Sequence, residues 1–180
     1  MNYIHYYQSP LGEIILTSDG KSLTGLSYDF PKMLLPYFIE KPLPIFTETD
    51  RWLDIYFSGK KPDFTPKLSL IVTCFRKMVW DILLTIPFGQ TITYGEIASR
   101  IAKQRGIPRM SAQAVGGAVG HNPIALIIPC HRVVGANGSL TGYAGGIDKK
   151  EHLLRLEQVD MSRLFISERK PAIYCTSSTS

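Results

Sequence analysis

The stretch YGEIASRIAKQRGIPRMSAQAVGGAVG, residues 94–120, predicts two helices separated by a short basic segment. Thr93 stands as an N-cap before the first helix and Ser111 before the second. The predicted helices cover residues 94–102 and 112–120, and the basic segment covers 103–109. Two helices joined by a short turn are typical of a helix-turn-helix, a motif that many DNA-binding proteins use.

The second of these helices is made almost wholly of small residues. Gly116 and Gly117 each weaken a helix by roughly 1 kcal/mol relative to alanine. Small side chains let another backbone approach closely, so two explanations remain open. The helix packs tightly on a neighbouring helix, or it lies flush against a nucleic acid.

A chemical signal follows in IPCHRVVG, residues 128–135. The nucleophile of a cysteine is its thiolate, a minor species at neutral pH unless a base or a positive charge is near. His131 is adjacent to Cys130, but neighbouring side chains in an extended segment point to opposite faces. His131 therefore acts through a turn or a water, or it is not the base. Arg132 adds positive charge that favours thiolate. The alternative is that Cys130 is an ordinary small buried side chain.

The other two cysteines carry no such signal. Cys74 falls in a predicted amphipathic helix that Thr73 caps, so we expect it in the core, and Cys175 lies in the tail. Three cysteines without a CxxC pair argue against a disulfide framework and a cysteine-rich zinc site. Reduced thiols, with no signal peptide and no apolar run near the roughly 18 residues of a membrane span, predict a cytoplasmic protein.

The rest of the chain predicts an α+β fold. Three short runs rich in β-branched and aromatic residues within the first thirty residues predict strands joined by turns. Further predicted elements are an irregular stretch over 30–44, a helix over 49–57, a strand over 68–72 and a last helix over 148–159. We expect an N-terminal domain over residues 1–70, a C-terminal domain over 71–165 and a loose tail over 166–180.

Composition narrows the function only slightly. The chain has 180 residues, of which 44% are hydrophobic and 19% charged, so it can bury a sizeable core. A net charge of +5 is compatible with a polyanionic partner. Many basic proteins bind no nucleic acid, so the charge alone does not decide the matter.

The motif PCHRV, residues 129–133, resembles the active-site motif of the O6-alkylguanine-DNA alkyltransferases. The resemblance extends to FRKMVWDILLTIPFGQTITYGEIA (75–98), AVGGAVGHNPIALIIPCHRVVGANGSLTGYAGG (114–146) and KKEHLLRLE (149–157). It implies a small N-terminal α/β domain with an antiparallel sheet, similar to ribonuclease H. It also implies a C-terminal, mainly helical, winged-helix-like domain that carries the helix-turn-helix. Proteins of this family repair DNA once, by moving the alkyl group irreversibly to their own cysteine.

The resemblance also implies roles for individual residues. Cys130 matches the alkyl acceptor, His131 matches the histidine that takes the thiol proton through a water, and Glu157 matches the glutamate that orients that histidine. Tyr94 matches a tyrosine that contacts the rotated base and a phosphate, and Asn122 matches a residue that fixes the active loop. The implied substrate and DNA contacts are Tyr94, Gln113, Asn122, Arg132, Val133, Tyr143 and Ala144, with Tyr143 and Ala144 in a flap over the guanine pocket and Arg132 supporting the loop.

One position departs from the family pattern. The family's second helix usually reads Arg-Ala-Val-Gly, and its arginine enters the base stack in place of the rotated nucleotide. Here Gln113 stands at that position, and it lacks the charge and the planar fork of arginine. We expect weaker base rotation or weaker DNA affinity, with Arg105 or Arg109 compensating electrostatically. The N-terminal region has no cysteines, so we expect neither the structural zinc of some members nor any cofactor.

The expected partner is double-stranded DNA that contains O6-alkylguanine, with O4-alkylthymine as a further candidate lesion. We expect a monomer with no membrane association and no obligate protein partner. The main alternative is an alkyltransferase-like protein that binds damage without transfer, although such proteins usually carry Trp where Cys130 stands. Two further alternatives are a thiol hydrolase, which has no use for a helix-turn-helix, and a transcription regulator that senses alkylation. We expect neither, because 180 residues leave no room for the added domain of such a regulator.

Overall fold

The computed structural model describes residues 1–166, and the predicted loose tail, with Cys175, lies outside the described residues apart from Ile166. The first part of the chain is a sheet covered by a helix. Its strands are β1 (Asn2–Ser9), β2 (Gly12–Ser18), β3 (Leu23–Ser27) and β4 (Phe38–Glu40), and its helix is α1 (Pro44–Phe57). In the sheet order β3-β2-β1-β4, the first three strands form an antiparallel meander.

Strand β4 adds a parallel edge to this sheet. It pairs with β1 in the register Asn2↔Phe38. The sheet is therefore mixed, whereas an antiparallel sheet was expected. The stretch predicted to be irregular contains this strand and a 3₁₀ helix, Lys32–Tyr37. Helix α1 begins five residues earlier than predicted because proline is tolerated at the first helical position, where no intrahelical partner for its N–H is needed. The predicted strand over 68–72 is reduced to a single bridge between Leu23 and Leu68.

The second part of the chain is mainly helical. It contains α2 (Cys74–Leu83), β5 (Ile92–Thr93), α3 (Tyr94–Arg105), α4 (Ala112–Gly120), β6 (Val133–Val134), β7 (Ser139–Leu140), α5 (Ile147–Leu156) and β8 (Phe165–Ile166). Two single turns of 3₁₀ helix, Cys130–Arg132 and Met161–Arg163, complete it. Strands β5 and β6 pair in parallel, as do β7 and β8.

The helix-turn-helix forms as the sequence predicts. Thr93 and Glu96 make a reciprocal capping box at the start of α3, and Gly106 ends that helix in the left-handed conformation at φ 64°. The Ser111 hydroxyl accepts from the Ala114 N–H at the start of α4. The indole Nε1 of Trp80 in α2 donates to the Ala118 carbonyl and so anchors α4 from behind.

One prediction about the core is wrong. Cys74 is exposed, not buried, because it is the first residue of α2, whose fully buried residues begin only at Val79. A main hydrophobic cluster joins both parts of the chain, and a smaller one of Val134, Leu140 and Leu154 lies under α5. Within residues 1–166 no helix combines the length and the apolar character that a bilayer crossing requires.

Candidate active site

The thiol of Cys130 lies in a 3₁₀ turn, not in an extended strand. Pro129, at φ −81° and ψ 66°, leads into the turn Cys130–Arg132, and β6 follows at once. The pairing of Val133 with Ile92 holds this turn beside the start of α3. Because the backbone turns here, Cys130 and His131 do not have the opposite orientations of neighbours in a strand.

His131 is completely buried, and its two ring nitrogens differ in their surroundings. Nε2 lies 2.6 Å from Oε1 of Glu157, and Nδ1 has no hydrogen-bond partner among the described residues. Burial lowers the pKa of His131 below its ordinary value of 6.5, although the Glu157 carboxylate opposes the shift. The ring is therefore neutral near pH 7, with its proton on Nε2 facing the carboxylate. The lone pair of Nδ1 is then available to accept a proton.

Glu157 accepts hydrogen bonds from four residues in three parts of the chain. Its Oε1 accepts from Tyr56 Oη at 2.7 Å and from Arg132 Nη2 at 3.0 Å, besides His131. Its Oε2 accepts from Arg132 Nε at 2.8 Å and from the Gly89 N–H at 3.0 Å. Burial alone would raise the pKa of this carboxyl, but the hydrogen bond of His131 and the hydrogen bonds and charge of Arg132 hold it well below its usual range. Glu157 thus stays ionised and fixes the imidazole.

The Cys130 thiol is protonated at rest. Burial raises its pKa above the ordinary value of 9.0, and Asn122 and the positive charge of Lys150 oppose that effect. The guanidinium of Arg132, expected to favour thiolate, is instead paired with Glu157. A base must therefore remove the thiol proton for the sulfur to react. His131 is the buried neutral base in the adjacent position.

Asn122 fixes the loop that leads to the thiol. Its Nδ2 donates to the Ile128 carbonyl at 2.7 Å, and its Oδ1 accepts from the Ile124 N–H at 3.0 Å. The loop also pairs with β3, since the Leu26 N–H donates to Pro123 and the Ala125 N–H donates to Leu26. The N-terminal sheet therefore continues directly into the wall of the site.

Lys150 supports the site from α5. Its side chain is fully buried, and Nζ donates to the carbonyls of Val133 and Thr141 at 2.5 and 2.7 Å. Burial lowers the pKa of Lys150 to about 8. The Thr141 carbonyl also accepts from Tyr94 Oη at 3.3 Å. Lys150 therefore fixes the backbone of the segment after the thiol turn at Val133 and at Thr141, and Tyr94 adds a second contact at Thr141.

A small pocket of about 70 Å³ opens beside the sulfur. Its wall is formed by three segments that the folding brings together, and the lining residues are Leu26, Ser27, Tyr28, Asp29, Val119, Gly120, Asn122, Ala125, Cys130, Gly142, Tyr143, Ala144 and Gly145. The wall is mostly apolar in side chain, with two phenol hydroxyls and a thiol inside it. Such a cavity can receive one small, partly polar group next to a nucleophile.

The structure places some of the expected residues elsewhere. Asn122, Tyr143 and Ala144 line the pocket with Cys130, and Tyr94 lies beside it. Gln113 is exposed near the start of α4, outside the pocket.

Arg132 and Val133 do not line the pocket, so the expectation that they contact substrate is not supported by their positions. Arg132 belongs to the Glu157 network and donates Nη1 to the Ile86 carbonyl. Val133 is buried and supplies the carbonyl that Lys150 binds.

Sequence reasoning missed three residues of the site: Tyr28, Tyr56 and Lys150. Lys150 has a signal, because it precedes Leu153 and Leu154 by three and four positions and so falls on the buried face of its helix. Tyr56 falls within the predicted helix over 49–57, but nothing local indicates that its hydroxyl reaches Glu157. Tyr28 follows a strand, and only the packing of β3 on the active loop brings it to the pocket. Within residues 1–166 no three His, Cys, Asp or Glu side chains converge as a metal site.

Two family descriptions match consecutive parts of this chain. Residues 2–70 match the ribonuclease-like domain of 6-O-methylguanine DNA methyltransferase, and residues 74–159 match its DNA-binding domain. Together they span well over half of the sequence. The chain belongs to this family. The expected α+β fold, with an N-terminal sheet and a C-terminal helical region, is confirmed as well.

Relatives of this methyltransferase family cover nearly the whole chain. A methylated-DNA–protein-cysteine methyltransferase of Methanosarcina mazei is 46% identical over 87% of this chain and 97% of its own length. A Mycobacterium tuberculosis relative with the same name is 44% identical over 86% of this chain and 93% of its own length. The crystal structure of Mycobacterium tuberculosis O6-methylguanine methyltransferase superposes with a TM-score of 0.76 at 42% identity, covering 93% of this chain and 97% of that one.

A structure of the mycobacterial protein in complex with DNA is also similar to this chain. It superposes with a TM-score of 0.75 at 43% identity, over 90% of this chain and 94% of that one. The relatives therefore share both parts of the fold and not only the thiol motif.

Proposed function

We propose that this chain repairs DNA by moving the alkyl group of O6-alkylguanine irreversibly onto the sulfur of Cys130. The observation that carries the proposal is the buried Cys130–His131 turn, in which Glu157 holds Nε2 of the imidazole and leaves Nδ1 free to act as a base. The enzyme class expected from the sequence, a methylated-DNA–protein-cysteine methyltransferase, is confirmed by relatives of that name at 44–46% identity.

The transfer follows from the protonation states of the site. Nδ1 of His131, directly or through a water, takes the proton of the Cys130 thiol, and the resulting thiolate attacks the alkyl carbon on guanine O6. A sulfur–carbon bond forms, the carbon–O6 bond breaks, and its electron pair stays on the guanine. The guanine anion takes up a proton from water and leaves the pocket as ordinary guanine, and the protonated His131 returns the thiol proton to solvent. The thioether has no leaving group of comparable quality, so the protein acts once.

The DNA-binding surface that we propose is the exposed side of α4. A Cβ built on Gly117 or Gly120 would meet no atom of the described chain within 4 Å, so that side of the helix is bare. Gly116 instead faces the Tyr94 ring at 3.8 Å. A Cβ at Gly116 would be at an ordinary contact distance, so helix packing requires none of the three glycines, and we attribute them to close approach of a DNA backbone. Arg105 and Arg109, on either side of the turn, add positive charge for phosphates.

A guanine inside a duplex cannot reach a buried thiol, so we propose that the damaged nucleotide rotates out of the stack into the pocket. Gln113, exposed near the start of α4, is placed to enter the gap that remains. It can hydrogen bond to the orphaned base but adds no charge. We accordingly propose slower repair in duplex DNA than an arginine at this position would give.

The proposed organisation is a monomer of two domains, residues 1–70 and 71–165, and its proposed location is the cytoplasm. No cofactor is required by the transfer as written, and O4-alkylthymine stays a candidate lesion. The domains are joined by more than a linker, since Tyr56 and Tyr28 of the first contribute to the site of the second.

The test is the intact mass of the protein after mixing with a duplex that carries one O6-methylguanine. We expect one added methyl group, mapped to Cys130 by peptide analysis. Cys130→Ser should show no transfer, and Cys74→Ser, which removes the exposed thiol at the start of α2, should react as the unaltered protein does. Methyl transfer in Cys130→Ser would overturn the mechanism. Tight binding of the unaltered protein without any added mass would instead identify a damage-binding protein.

A further inference from the structure

The N-terminal part of the chain supplies one wall of the thiol pocket. Tyr28 immediately follows β3, whose Leu26 pairs with the active loop through the Pro123 carbonyl at 2.8 Å and the Ala125 N–H at 2.9 Å. This pairing places Tyr28 among the residues that line the pocket with Cys130 and Tyr143. The wall is therefore fixed to the loop that carries the nucleophile.

The Tyr28 ring has little freedom to move. A Cβ on Gly145 would lie 3.0 Å from Tyr28 Cδ2 and 2.9 Å from Tyr143 Cε1, so both rings occupy space that any other residue would need. The Lys149 ammonium lies 5.4 Å from the centroid of the Tyr28 ring, at cation–π distance. The ring is thus packed against the turn of the flap and forms a rigid boundary of the cavity.

The hydroxyls of Tyr28 and Tyr143 are buried close to each other, and neither makes a hydrogen bond of good geometry among residues 1–166. Burial raises the pKa of Tyr28, while the neighbouring Tyr143 hydroxyl opposes the effect and the nearby Cys130 adds to it. A buried hydroxyl without a partner is unfavourable, so such groups are generally satisfied by protein, water or ligand. A purine base in the pocket offers ring nitrogens and an exocyclic amine that can satisfy it.

We propose that Tyr28 is a specificity-determining residue of this methyltransferase. Its ring limits the size of the O6 substituent that fits beside Cys130, and its hydroxyl bonds to the bound base. The proposal rests on the proposed alkyl transfer to Cys130. The narrow cavity beside Cys130, of about 70 Å³, favours methyl over larger groups such as benzyl.

The experiment compares second-order transfer rate constants for duplexes carrying O6-methylguanine and O6-benzylguanine. Tyr28→Ala should raise the benzyl-to-methyl ratio by at least about tenfold, the size of effect that one or two carbon atoms have in a confined pocket. Tyr28→Phe keeps the ring, so it should preserve the ratio while both rate constants fall. Tyr37→Ala, at an exposed tyrosine of the same part of the chain, is the matched control and should change neither quantity.

A benzyl-to-methyl ratio within twofold of the unaltered protein in Tyr28→Ala would overturn the proposal. If Tyr28→Ala does not fold, as judged by its thermal transition, Tyr28→Leu carries the same expectation and the same refutation. A Tyr28→Phe ratio that matches Tyr28→Ala would also overturn the role of the ring. Failure of the underlying function is distinguishable, because the unaltered protein would then transfer no methyl group to Cys130 from either duplex.

Discussion

Replacement of Tyr56 by phenylalanine tests whether the N-terminal helix α1 contributes to the catalytic network. The Tyr56 hydroxyl donates to Oε1 of Glu157 at 2.7 Å, and the ring stacks on Trp52 with centroids 5.2 Å apart. The substitution removes the oxygen and leaves the stacked ring. It therefore removes the contacts of this hydroxyl alone, namely the bond to the fully buried Glu157 carboxylate and a 3.2 Å contact with Nε2 of His131.

The expected loss of stability in Tyr56→Phe follows from the negative charge of the Glu157 carboxylate, which accepts the bond. Hydrogen bonds to charged groups contribute about 1.5–3 kcal/mol to the free energy of unfolding. For a chain of this size, each 1 kcal/mol lowers the melting temperature by roughly 2–4 °C. We expect Tyr56→Phe to melt about 3–12 °C below the unaltered protein. Glu157 retains its bonds from His131, Arg132 and Gly89, so the fold survives.

Tyr7→Phe is the matched control. Tyr7 donates its hydroxyl to Oδ1 of Asp54 at the same 2.7 Å, but the pair is exposed to solvent. Its loss should change the free energy of unfolding by no more than about 0.5 kcal/mol, as for other surface substitutions. Equal melting temperatures for Tyr56→Phe and Tyr7→Phe in a thermal scan would refute the argument from burial.

The pH dependence of the transfer rate distinguishes a role of Tyr56 in positioning Glu157 and His131 from a role in stability alone. Without the Tyr56 hydroxyl, the charge of Glu157 is less neutralised, and the pKa of His131 should increase. The acid limb of the pH–rate profile should therefore move to higher pH in Tyr56→Phe but not in Tyr7→Phe. An unmoved acid limb would mean that Tyr56 has only a structural role.

Four further predictions follow from the site. Because burial lowers the pKa of His131 below 6.5, the transfer rate constant should not change from pH 8 to 6.5 and should fall at lower pH. The free energy of unfolding should also decrease below pH 6.5, since only the unfolded state takes up the proton. A decline of either quantity that begins well above pH 6.5 would contradict a neutral imidazole. Asn122→Ala loses two bonds of the active loop and should lower the free energy of unfolding by about 1–3 kcal/mol in urea titrations, with slower transfer. Gly117→Ala should stabilise α4 by up to about 1 kcal/mol yet weaken DNA binding in anisotropy titrations, and unchanged affinity would remove that face from the interface. Gln113→Arg should speed repair in duplex DNA more than reaction with free O6-alkylguanine, and equal effects on both would refute the role in base rotation.

The local parts of the structure could be predicted from the sequence. The caps at Thr93 and Ser111 and the spacing of apolar residues between them depend only on neighbouring residues, so α3 and α4 were expected nearly as they are. The start of α1 was missed because a proline at the first helical position also fits an irregular segment. The predicted burial of Cys74 was wrong because the first turn of a helix can face solvent even when the helix is amphipathic.

The long-range parts of the site could not be predicted in this way. The contact of Tyr56 with Glu157 joins residues 101 positions apart, and the Tyr28 wall depends on β3 meeting the active loop. Arg132 was expected near the thiol because it is near in sequence, but its guanidinium reaches the carboxylate that only the folded chain brings there. The sequence motif thus predicts which residues lie together, while their individual partners required the tertiary structure.

The position of Glu157 near the end of the described chain has a consequence for protein synthesis. Its carboxylate binds side chains or backbone groups at positions 56, 89, 131 and 132, all of which leave the ribosome before it. In the mechanism that we propose, His131 has no anion to fix its proton on Nε2 until residue 157 arrives, and Cys130 has no oriented base. A growing or truncated polypeptide therefore carries an unreactive thiol at position 130. The nucleophile becomes reactive only after Glu157 has been added and the chain has folded.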